Sequence, residues 1–343
     1  MTKIRIGVLG TGTIMRGSHL LTLRDHPRAE VAAAANHRSE SLERLAADFN
    51  IPKLYTDFGA MAADPEIDAV VIALPNYLHA PATIQMLEAG KHVLCEKPMA
   101  MSVAECEQMI EAARGSGRKL MIGHMWRFDR EIVWLRELVA SGKLGRVFKV
   151  KSHEVLIYDL YGEDPPLDSW FLDRALAGGG GLTDMGIHSF DTLRFVLGNA
   201  RPIRVFATTG TYFKDIEVED TATVMLEFEG GVTALIEAGW YNLHADEQQG
   251  YTQVFGDRGY ATAVPPELRM NVEGEWSVIQ PRIPPRQQQE DLPAFQAQMD
   301  HFIDCIVNDR EPSPGGEDGL WAMRMLEAAY SSAESGEAVA IEG

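Results

Sequence analysis

A lysine, an aspartate and a histidine are the side chains of this sequence best suited to acid–base chemistry. Lys97 stands in "HVLCEKPMA", directly after the apolar residues of a predicted strand and directly before Pro98. Asp184 and His188 stand four residues apart in "GGGGLTDMGIHSFDTLRFV". On a helix this spacing places both on one face, one turn apart. There an imidazole can take a proton, and a carboxylate can orient it or bind a substrate.

Each of these residues also has a structural interpretation. Lys97 by itself is an exposed amine at the end of a strand, while Asp184 and His188 are a helix cap and a core histidine. The same pair is also suited to hold a divalent metal, but no third ligand with suitable spacing lies nearby, so metal ligation is the least favoured interpretation.

A glycine pair near the N-terminus predicts a dinucleotide site. In "GVLGTGTIM", Gly10 and Gly12, followed by Thr13 and Ile14, lie between the first predicted strand and a helix. In that position glycines let backbone N–H groups approach a pyrophosphate. The usual third small residue is replaced by Met15, which predicts looser packing of helix on strand. The alternative is a tight turn that binds no ligand.

The end of the second predicted strand bears on the choice of cofactor. An NAD site commonly has an acidic residue there, but this sequence has Asn36, followed by Arg38. An arginine can bind a 2′-phosphate through charge-assisted hydrogen bonds. We therefore predict NADP, with NAD as the alternative; in the structural interpretation Arg38 is only a solvated surface charge.

The elements that must position these residues alternate between strand and helix over the first part of the chain. This alternation is typical of a doubly wound parallel sheet, and it predicts a dinucleotide-binding Rossmann domain over residues 1–123. The predicted strands are 4–9, 31–36, 68–74, 91–96 and 119–123. The stretch "SVAE" at 102–105 predicts a capping box that opens the following helix.

Ligands of such sheets bind beyond the carboxyl ends of the strands. Lys97 follows the fourth predicted strand there, so we predict that its ammonium overhangs the same crevice as the glycine pair. The further candidate cofactor residues at these strand ends are Leu74, Asn76, His79 and Glu96. His79 is also predicted to be a structural partner rather than a catalyst.

The pattern changes after residue 123. An amphipathic helix with Ile132, Leu135 and Leu138 on one face is followed by longer alternating strands, two of them with hairpin turns at Gly230-Gly231 and "GDRG" (256–259). This predicts an α+β domain over residues 124–343, with a large and mostly antiparallel sheet. Aromatic residues near Tyr158, Trp170 and Tyr241 are candidates for the pocket wall.

Composition excludes several classes of protein. The chain of 343 residues is 45% apolar with a net charge of −19, so a nucleic-acid partner is not expected. No apolar run approaches the roughly 20 residues that span a bilayer, and the N-terminus does not have the pattern of a signal peptide. Three widely spaced cysteines suggest neither disulfides nor a zinc site. We predict a cytoplasmic protein without a membrane partner.

Four motifs, in their order along the chain, resemble the glucose-fructose oxidoreductase and inositol dehydrogenase family. They are G-x-G at 10–12, "LPNYLHAP" at 74–81, "EKP" at 96–98 and "GGGLTDMGIHSFD" at 179–191. The resemblance covers nearly the whole length. It implies a Rossmann domain followed by an α+β domain whose open sheet is often used for homo-oligomer contacts, here in a dimer or tetramer.

The resemblance also implies a reaction. Lys97, Asp184 and His188 would converge as the catalytic group, with a cis peptide bond before Pro98. The expected activity is hydride transfer between a nicotinamide and a ring carbon that bears a hydroxyl, on a sugar, cyclitol or related polyol. Two rivals remain open: a cofactor-dependent glycosidase of the same family, and a regulator that binds dinucleotide without turnover.

Overall fold

A computed structural model of the chain describes residues 3–156, 169–240, 251–283 and 291–343. The chain forms two compact units, the first from Met1–Met125 with Asp291–Leu320 and the second from Trp126–Glu290 with Trp321–Gly343. The chain therefore changes unit more than once, and a single boundary after residue 123 does not separate the two units beyond residue 290. Beyond it, the chain returns to the first unit before it ends in the second.

The first unit is built on a parallel sheet. Its strands are β1 (Ile4–Leu9), β2 (Ala29–Ala35), β3 (Lys53–Tyr55), β4 (Ala69–Ile72), β5 (His92–Cys95) and β6 (Leu120–Ile122). Their order in the sheet is β3-β2-β1-β4-β5-β6. Every residue of β4 is buried, as is expected of a strand that helices cover on both faces.

Both units contain α-helices in the described part of the chain. They are α1 (Leu20–Leu23), α2 (Ser39–Phe49), α3 (Phe58–Ala62), α4 (His79–Glu88), α5 (Val103–Ser116), α6 (Arg130–Ala140), α7 (Arg174–Ala177), α8 (Ile187–Val196), α9 (Leu292–Val307) and α10 (Gly316–Ser335). Two π-helical turns, Met15–His19 and Leu182–Gly186, precede α1 and α8, respectively.

Helix α5 begins at the capping box that its sequence predicts. The Ser102 hydroxyl accepts a hydrogen bond from the Glu105 backbone N–H at 3.2 Å. The Glu105 carboxylate accepts in return from the N–H of Met101, at 2.9 Å. Gly117 ends the helix in the left-handed region, at φ 65°. The capping box therefore satisfies backbone donors that a helix start leaves without intrahelical partners.

Helix α9 packs onto the N-terminal part of the first unit. Phe295 meets the His19 ring edge to face, with 5.5 Å between ring centroids. One turn and a half further on, Asp300 lies 2.8 Å from His26 Nε2. Since Phe295 and His19 are both buried, this late segment completes the core of the first unit.

The second unit is built on a nine-stranded sheet. Its strands are β7 (Val147–Leu156), β8 (Pro202–Gly210), β9 (Thr221–Phe228), β10 (Val232–Trp240), β11 (Tyr251–Gly256), β12 (Gly259–Thr262), β13 (Glu267–Val272), β14 (Glu275–Ile279) and β15 (Val339–Ala340). Their order is β14-β13-β12-β11-β7-β10-β9-β8-β15. The neighbours are antiparallel except for β7 and β10, which run parallel.

One face of this sheet is buried and the other is exposed. Val150, Ala234 and Ile236 are fully buried on the inner face. The alternating residues of the central strands point outward, where Met225 and Leu235 are 47% and 39% exposed. This alternation is the pattern of an antiparallel sheet that covers a core on one side only.

The predicted fold class, a Rossmann parallel sheet followed by an α+β unit, is confirmed. The hairpin turns at Gly230-Gly231 and at 256–259 both join neighbouring antiparallel strands, and the peptide bond before Pro98 is cis. Strand β3, which has only three residues, was not predicted from the sequence. Within the described parts of the chain, none of the helices is long and apolar enough to cross a bilayer.

Candidate active site

The glycine loop after β1 fits a dinucleotide. Gly10 has a φ of 102°, and a Cβ there would lie 2.1 Å from the Ala73 carbonyl oxygen, so only glycine is tolerated. A Cβ at Gly12, in contrast, would meet no atom of the described chain within 4 Å. Thr13 and Ile14 beside it are exposed. The loop therefore has an open side on which a pyrophosphate can approach the backbone.

Met15 occupies the position of the usual small residue without becoming exposed. Its side chain is fully buried, at the start of the π-helical turn Met15–His19. A π-helix has a wider turn than an α-helix, and such turns are frequent at functional sites. The position that is usually small is therefore filled by a buried methionine at the start of a π-helical turn.

The end of β2 is organised around the side chain of Asn36. Its amide group donates to the Thr11 hydroxyl at 2.6 Å, and its oxygen accepts from the backbone N–H of Arg38 at 2.9 Å. Arg38 itself is exposed at the start of α2. Asn36 thus ties this corner to the glycine loop, and the guanidinium of Arg38 stands at the surface beside it.

The buried carboxylate of Glu96 connects the segments around Lys97. It accepts a hydrogen bond from His19 Nε2 at 2.8 Å and one from the Lys97 backbone N–H at 3.2 Å. A Cβ at Gly123 would lie within 2.9 Å of this carboxylate, so a glycine is required there. Burial opposes ionisation, but the hydrogen bond from His19 and the Lys97 charge hold the pKa of Glu96 below its usual range.

His79 ties two strand ends together. Its Nδ1 lies 2.8 Å from the Pro98 carbonyl oxygen, and its Nε2 lies 2.9 Å from that of Leu74. The ring is buried, and this burial lowers its pKa. Asn76, at the start of the intervening 3₁₀ turn, is also buried. These contacts favour a positioning role for His79, because both ring nitrogens face backbone carbonyls.

In the second unit, the predicted aspartate lies on a π-helical turn. Asp184 belongs to Leu182–Gly186, which continues directly into α8 with His188. The Asp184 carboxylate accepts a hydrogen bond of 2.9 Å from the indole N–H of the buried Trp240. The aspartate is therefore held in place by a β10 side chain as well as by its own backbone.

The glycine run before Asp184 allows close contact with a carboxylate. A Cβ at Gly180 would lie 2.0 Å from the Glu219 carbonyl oxygen. The Glu219 side chain accepts from the N–H groups of Gly180 and Leu182 at 2.9 and 3.0 Å, and from the Tyr330 hydroxyl at 2.7 Å. An anion at the start of a helical segment stabilises its free N–H groups.

His188 is buried among residues of α8 and of the turn before α6. The Trp126 indole meets its ring at a centroid distance of 6.1 Å and an angle of 69°. One turn along α8, Asp191 forms a bidentate ion pair with Arg127, at 2.8 and 2.6 Å. Both charged side chains are 2% exposed. A planar, paired contact of this kind fixes orientation as well as distance.

The structure thus groups the predicted residues by unit. The candidate cofactor residues and Lys97 lie at the carboxyl ends of strands in the first unit, whereas Asp184 and His188 lie on one continuous helical segment of the second. Tyr158 and Tyr241 lie outside the described residues. Among those that are described, no three His, Cys, Asp or Glu side chains are grouped to hold a metal ion.

Sequence reasoning did not find the residues that hold this helical segment in place. They are Glu219, Trp240, Tyr330 and Arg127, and each contacts a partner more than 35 residues away in the chain. No local pattern identifies such a partner. The only signal in the sequence was the glycine run, which predicts that another segment of the chain approaches closely but does not identify that segment.

Comparison with known proteins gives matches over both units. The family model described as "Oxidoreductase family, NAD-binding Rossmann fold" matches residues 4–124, and the model of the GFO/IDH/MocA C-terminal domain matches 132–262. The chain is 32% identical to the 1,5-anhydro-D-fructose reductase of Ensifer adhaerens, over 98% of each chain. It is 29% identical to the myo-inositol 2-dehydrogenase of Thermotoga maritima, over 99% of each.

A solved structure is also similar to this chain over nearly its whole length. The aldose-aldose oxidoreductase of Caulobacter crescentus, crystallised with glycerol, superposes with a TM-score of 0.85. The two proteins are 33% identical, over 98% of this chain and 99% of the other. Likeness of this extent covers the glycine loop and the helical segment with Asp184 and His188 alike.

Proposed function

The chain belongs to the GFO/IDH/MocA oxidoreductase family, and on that premise we propose that it is an NAD(P)-dependent dehydrogenase or reductase of a sugar, cyclitol or related polyol. The observation that carries the proposal is the presence of Lys97 at the end of β5 together with Asp184 and His188 on one helical segment. Relatives that span this chain are named as reductases and dehydrogenases of such compounds.

The residues have distinct roles in this proposal. In the oxidising direction His188 accepts the proton of the substrate hydroxyl, and Lys97 donates a hydrogen bond to the same oxygen as negative charge develops on it. Asp184, held by Trp240, orients the substrate and the imidazole. When bound, the cofactor supplies a nicotinamide ring carbon that exchanges a hydride with the substrate. Reduction uses the same groups in reverse.

The first unit would hold the cofactor through its strand ends. Gly10, Gly12 and the following turn would receive the pyrophosphate, since there is open space beside the backbone at Gly12. We propose NADP rather than NAD, because Asn36 stands where an acidic residue would otherwise select a ribose hydroxyl, and the exposed guanidinium of Arg38 lies beside it. Leu74, Asn76 and Glu96 would line the same crevice.

The decisive experiment is a screen of sugars and inositols with both NAD and NADP, in both directions, followed by the absorbance of the reduced nicotinamide. We expect stoichiometric formation of oxidised product and reduced cofactor with at least one polyol. Glycoside cleavage without net cofactor reduction would indicate the glycosidase instead. Cofactor binding without any turnover on the panel would contradict the proposal and favour a regulator.

We further propose that the protein assembles as a homo-oligomer through the outer face of the nine-stranded sheet. Phe206, Met225 and Leu235 form a cross-strand row on that face, and each is more than a third exposed. Beside this row, Arg204 and Glu227 form an ion pair. A mixed apolar and charged surface of this kind suits contact with a second copy of itself. The location in the cytoplasm stays a prediction from composition.

A further inference from the structure

The segment just before β9 holds the π-helical turn Leu182–Gly186 through its backbone as well as through a side chain. The Glu219 carbonyl oxygen accepts a hydrogen bond from the Gly181 N–H at 2.8 Å, in addition to the two N–H groups that bind its carboxylate. The next carbonyl oxygen, that of Asp220, accepts from the Trp240 backbone N–H at 2.7 Å. Two successive residues therefore contact both the start of this turn and the end of β10.

Asp184 is held at its backbone and at its carboxylate by this arrangement. Its N–H donates to the Gly180 carbonyl oxygen at 2.9 Å, and the N–H of Gly180 donates in turn to the Glu219 carboxylate. The carboxylate of Asp184 accepts from the indole N–H of Trp240, whose backbone N–H is bound by Asp220. Both ends of the aspartate side chain thus depend on residues 219 and 220.

Tyr330, on α10, binds the same carboxylate. Its hydroxyl oxygen lies 2.7 Å from a Glu219 oxygen and 2.7 Å from Thr183 Oγ1. Burial and the charge of Glu219 raise the pKa of Tyr330 well above its usual range, so the phenol keeps its single hydrogen. Because a carboxylate oxygen can only accept, this hydrogen goes to Glu219, and the Thr183 hydroxyl donates to the phenol oxygen. This chain of hydrogen bonds begins at the residue directly before Asp184.

The glycine run before Asp184 provides the space for these contacts. A Cβ at Gly179 would lie 1.9 Å from the Tyr330 hydroxyl oxygen, and a Cβ at Gly181 would lie 2.6 Å from the Gly239 Cα. The glycine between them meets a backbone carbonyl oxygen at 2.0 Å. Since three successive glycines are each required by a different neighbour, this run is a closely packed turn rather than a flexible hinge.

The other oxygen of Glu219 also faces the protein. The Arg174 guanidinium lies 3.7 Å from it and 6.0 Å from the centre of the Tyr330 ring. The Glu219 side chain is only 4% exposed, against 46% for that of Arg174. A buried carboxylate surrounded by donors of its own chain is suited to fix its neighbours in one arrangement, and it is poorly placed to bind a substrate itself.

We propose that Glu219 and Tyr330 are positioning residues for the reaction, and that they set the direction in which Asp184 presents its carboxylate to the substrate. The inference rests on the proposed function, in which Asp184 orients the substrate and the imidazole. In this role neither residue touches the reacting atoms. Their hydrogen bonds fix the turn, and the turn fixes Asp184 and, four residues further on, His188. A displacement of about 1 Å at reacting groups can cost ~10² in rate, so partial loss of these bonds should be measurable.

Tyr330→Phe is the mildest test, because it removes the hydroxyl and keeps the ring. We expect kcat for polyol oxidation to fall roughly tenfold, less than the ~10² that a displacement of about 1 Å can cost. The dissociation constant of the cofactor should not change, because the candidate cofactor residues belong to the first unit.

Ser332→Ala, on the same helix, is the matched control. The buried Ser332 hydroxyl also forms two hydrogen bonds, from the Ala207 N–H at 3.0 Å and to the Glu337 carbonyl oxygen at 2.6 Å. These partners lie on β8 and just after α10, away from the glycine run. Both variants should lower the melting temperature to a similar extent, but only Tyr330→Phe should lower kcat.

The indole N–H of Trp240 gives a signal that does not depend on turnover, because it binds the Asp184 carboxylate at 2.9 Å. In protein with isotope-labelled tryptophan, its proton resonance can be identified by its absence from the spectrum of Trp240→Phe. We expect this resonance to shift in Tyr330→Phe and also in Thr183→Val, which removes the other hydroxyl of the chain of hydrogen bonds. It should stay in place in Ser332→Ala.

The outcomes separate positioning from general stability and from the proposed function. Wild-type kcat in Tyr330→Phe, or an indole resonance that does not move, would overturn the proposal. Equal losses of kcat in Tyr330→Phe and Ser332→Ala would also overturn it, because they would reflect a loss of stability alone. A parent protein that turns over no polyol, but whose indole resonance shifts as expected, would count against the proposed function, while the hold of Tyr330 on Asp184 would stand.

Discussion

At the scale of single residues, the ionised carboxylate of Glu96 shows how a buried charge is held by the segments around it. It receives hydrogen bonds from His19 and from the backbone of Lys97, and it fits only because Gly123 has no side chain. A truncation such as Glu96→Ala would leave His19 without this acceptor. These contacts of Glu96 therefore fix the backbone from which the Lys97 side chain extends.

The role of His188 predicts a defined kinetic loss. His188→Asn keeps a polar group of similar reach but cannot exchange protons near neutrality. We expect kcat to fall by ~10²–10⁴ with little change in the dissociation constant of the cofactor, as measured by stopped-flow kinetics and fluorescence titration. His37→Asn, at an exposed histidine of the first unit, is the control. A loss of less than a few-fold would exclude His188 as the proton carrier.

The positive charge of Arg38 is expected to set the preference for NADP over NAD. Arg38→Ala should weaken NADP binding by roughly 10- to 100-fold, the value of one hydrogen bond to a charged group, and leave NAD binding nearly unchanged. Isothermal titration with both cofactors measures the ratio. Arg44→Ala removes another exposed arginine of α2, one that pairs with Glu40, and should alter neither constant. An unchanged ratio in Arg38→Ala would make the NADP assignment wrong.

The raised pKa of Glu131 is expected to make the stability of the fold depend on pH. Its pKa is raised from 4.5 to about 7 in the folded protein, so the folded state retains a proton that the unfolded state loses. The free energy of unfolding should therefore fall as pH rises from about 4.5 to about 7, by on the order of 3 kcal/mol, and level off above. Glu131→Gln should flatten this decline in urea titrations, whereas Glu137→Gln, at an exposed position of α6, should retain it.

At the scale of elements, π-helical turns occur at two of the segments that the sequence predicts to be functional. One holds Met15 to His19 after the glycine loop, and the other holds Asp184 before α8. Periodicity in the sequence predicts a helix at both places but does not distinguish the wider turn from an α-helix. A π turn shifts the side chains that follow it around the helix axis, so the register of His188 relative to Asp184 follows from this geometry.

The close approach at Gly180 predicts a large loss of stability. Gly180→Ala would place a methyl group 2.0 Å from the Glu219 carbonyl oxygen, and because that atom belongs to the backbone, the contact cannot relax cheaply. We expect a loss of about 3 kcal/mol or more, seen as a lower melting temperature. Gly115→Ala, at an exposed helical position where a Cβ meets nothing within 4 Å, should instead stabilise by up to ~1 kcal/mol. Equal melting temperatures would contradict this account.

How well an element can be predicted from the sequence depends on how far apart along the chain its interacting residues lie. Strands β1, β4 and β5 are apolar runs bounded by turns, and the cap at Ser102 is a local pattern, so they were found. Strand β3 has three residues, of which Leu54 is exposed, and it gives almost no signal. The contacts of Glu219 and Arg127 are formed only when distant segments meet, so no sequence window contains them.

At the scale of the whole molecule, the exposed row on the outer sheet face predicts the assembly state. Leu235→Glu puts a charge in the middle of the apolar row of Phe206, Met225 and Leu235, which an interface could bury only at high cost. We expect this variant to sediment as a monomer in analytical ultracentrifugation, while the parent sediments as a dimer or tetramer. Leu54→Glu is the matched control, because Leu54 is similarly exposed, 41% against 39%, but lies on β3. A parent protein that is itself monomeric would contradict the proposal.

The division of the chain into units was the least predictable feature at this scale. A change of pattern near residue 123 marks where the parallel sheet ends, and that change is visible in the sequence. The return of residues 291–320 to the first unit is not visible, since α9 reads as an ordinary amphipathic helix. Its contacts, such as Phe295 against His19, show that it packs on the helical segment after the glycine loop.

This return has a consequence for synthesis on the ribosome. The parallel sheet and its first helices leave the exit tunnel early, but the segment that covers Leu20 and His19 follows only after the whole of Trp126–Glu290 has been made. Until then the nascent chain carries an uncovered apolar surface, which is the kind of surface that chaperones bind. A gene fragment that stops at residue 125 would encode the dinucleotide motif without the helix that completes the core of its unit. The nucleotide-binding unit therefore cannot be obtained as an independent domain by a single truncation.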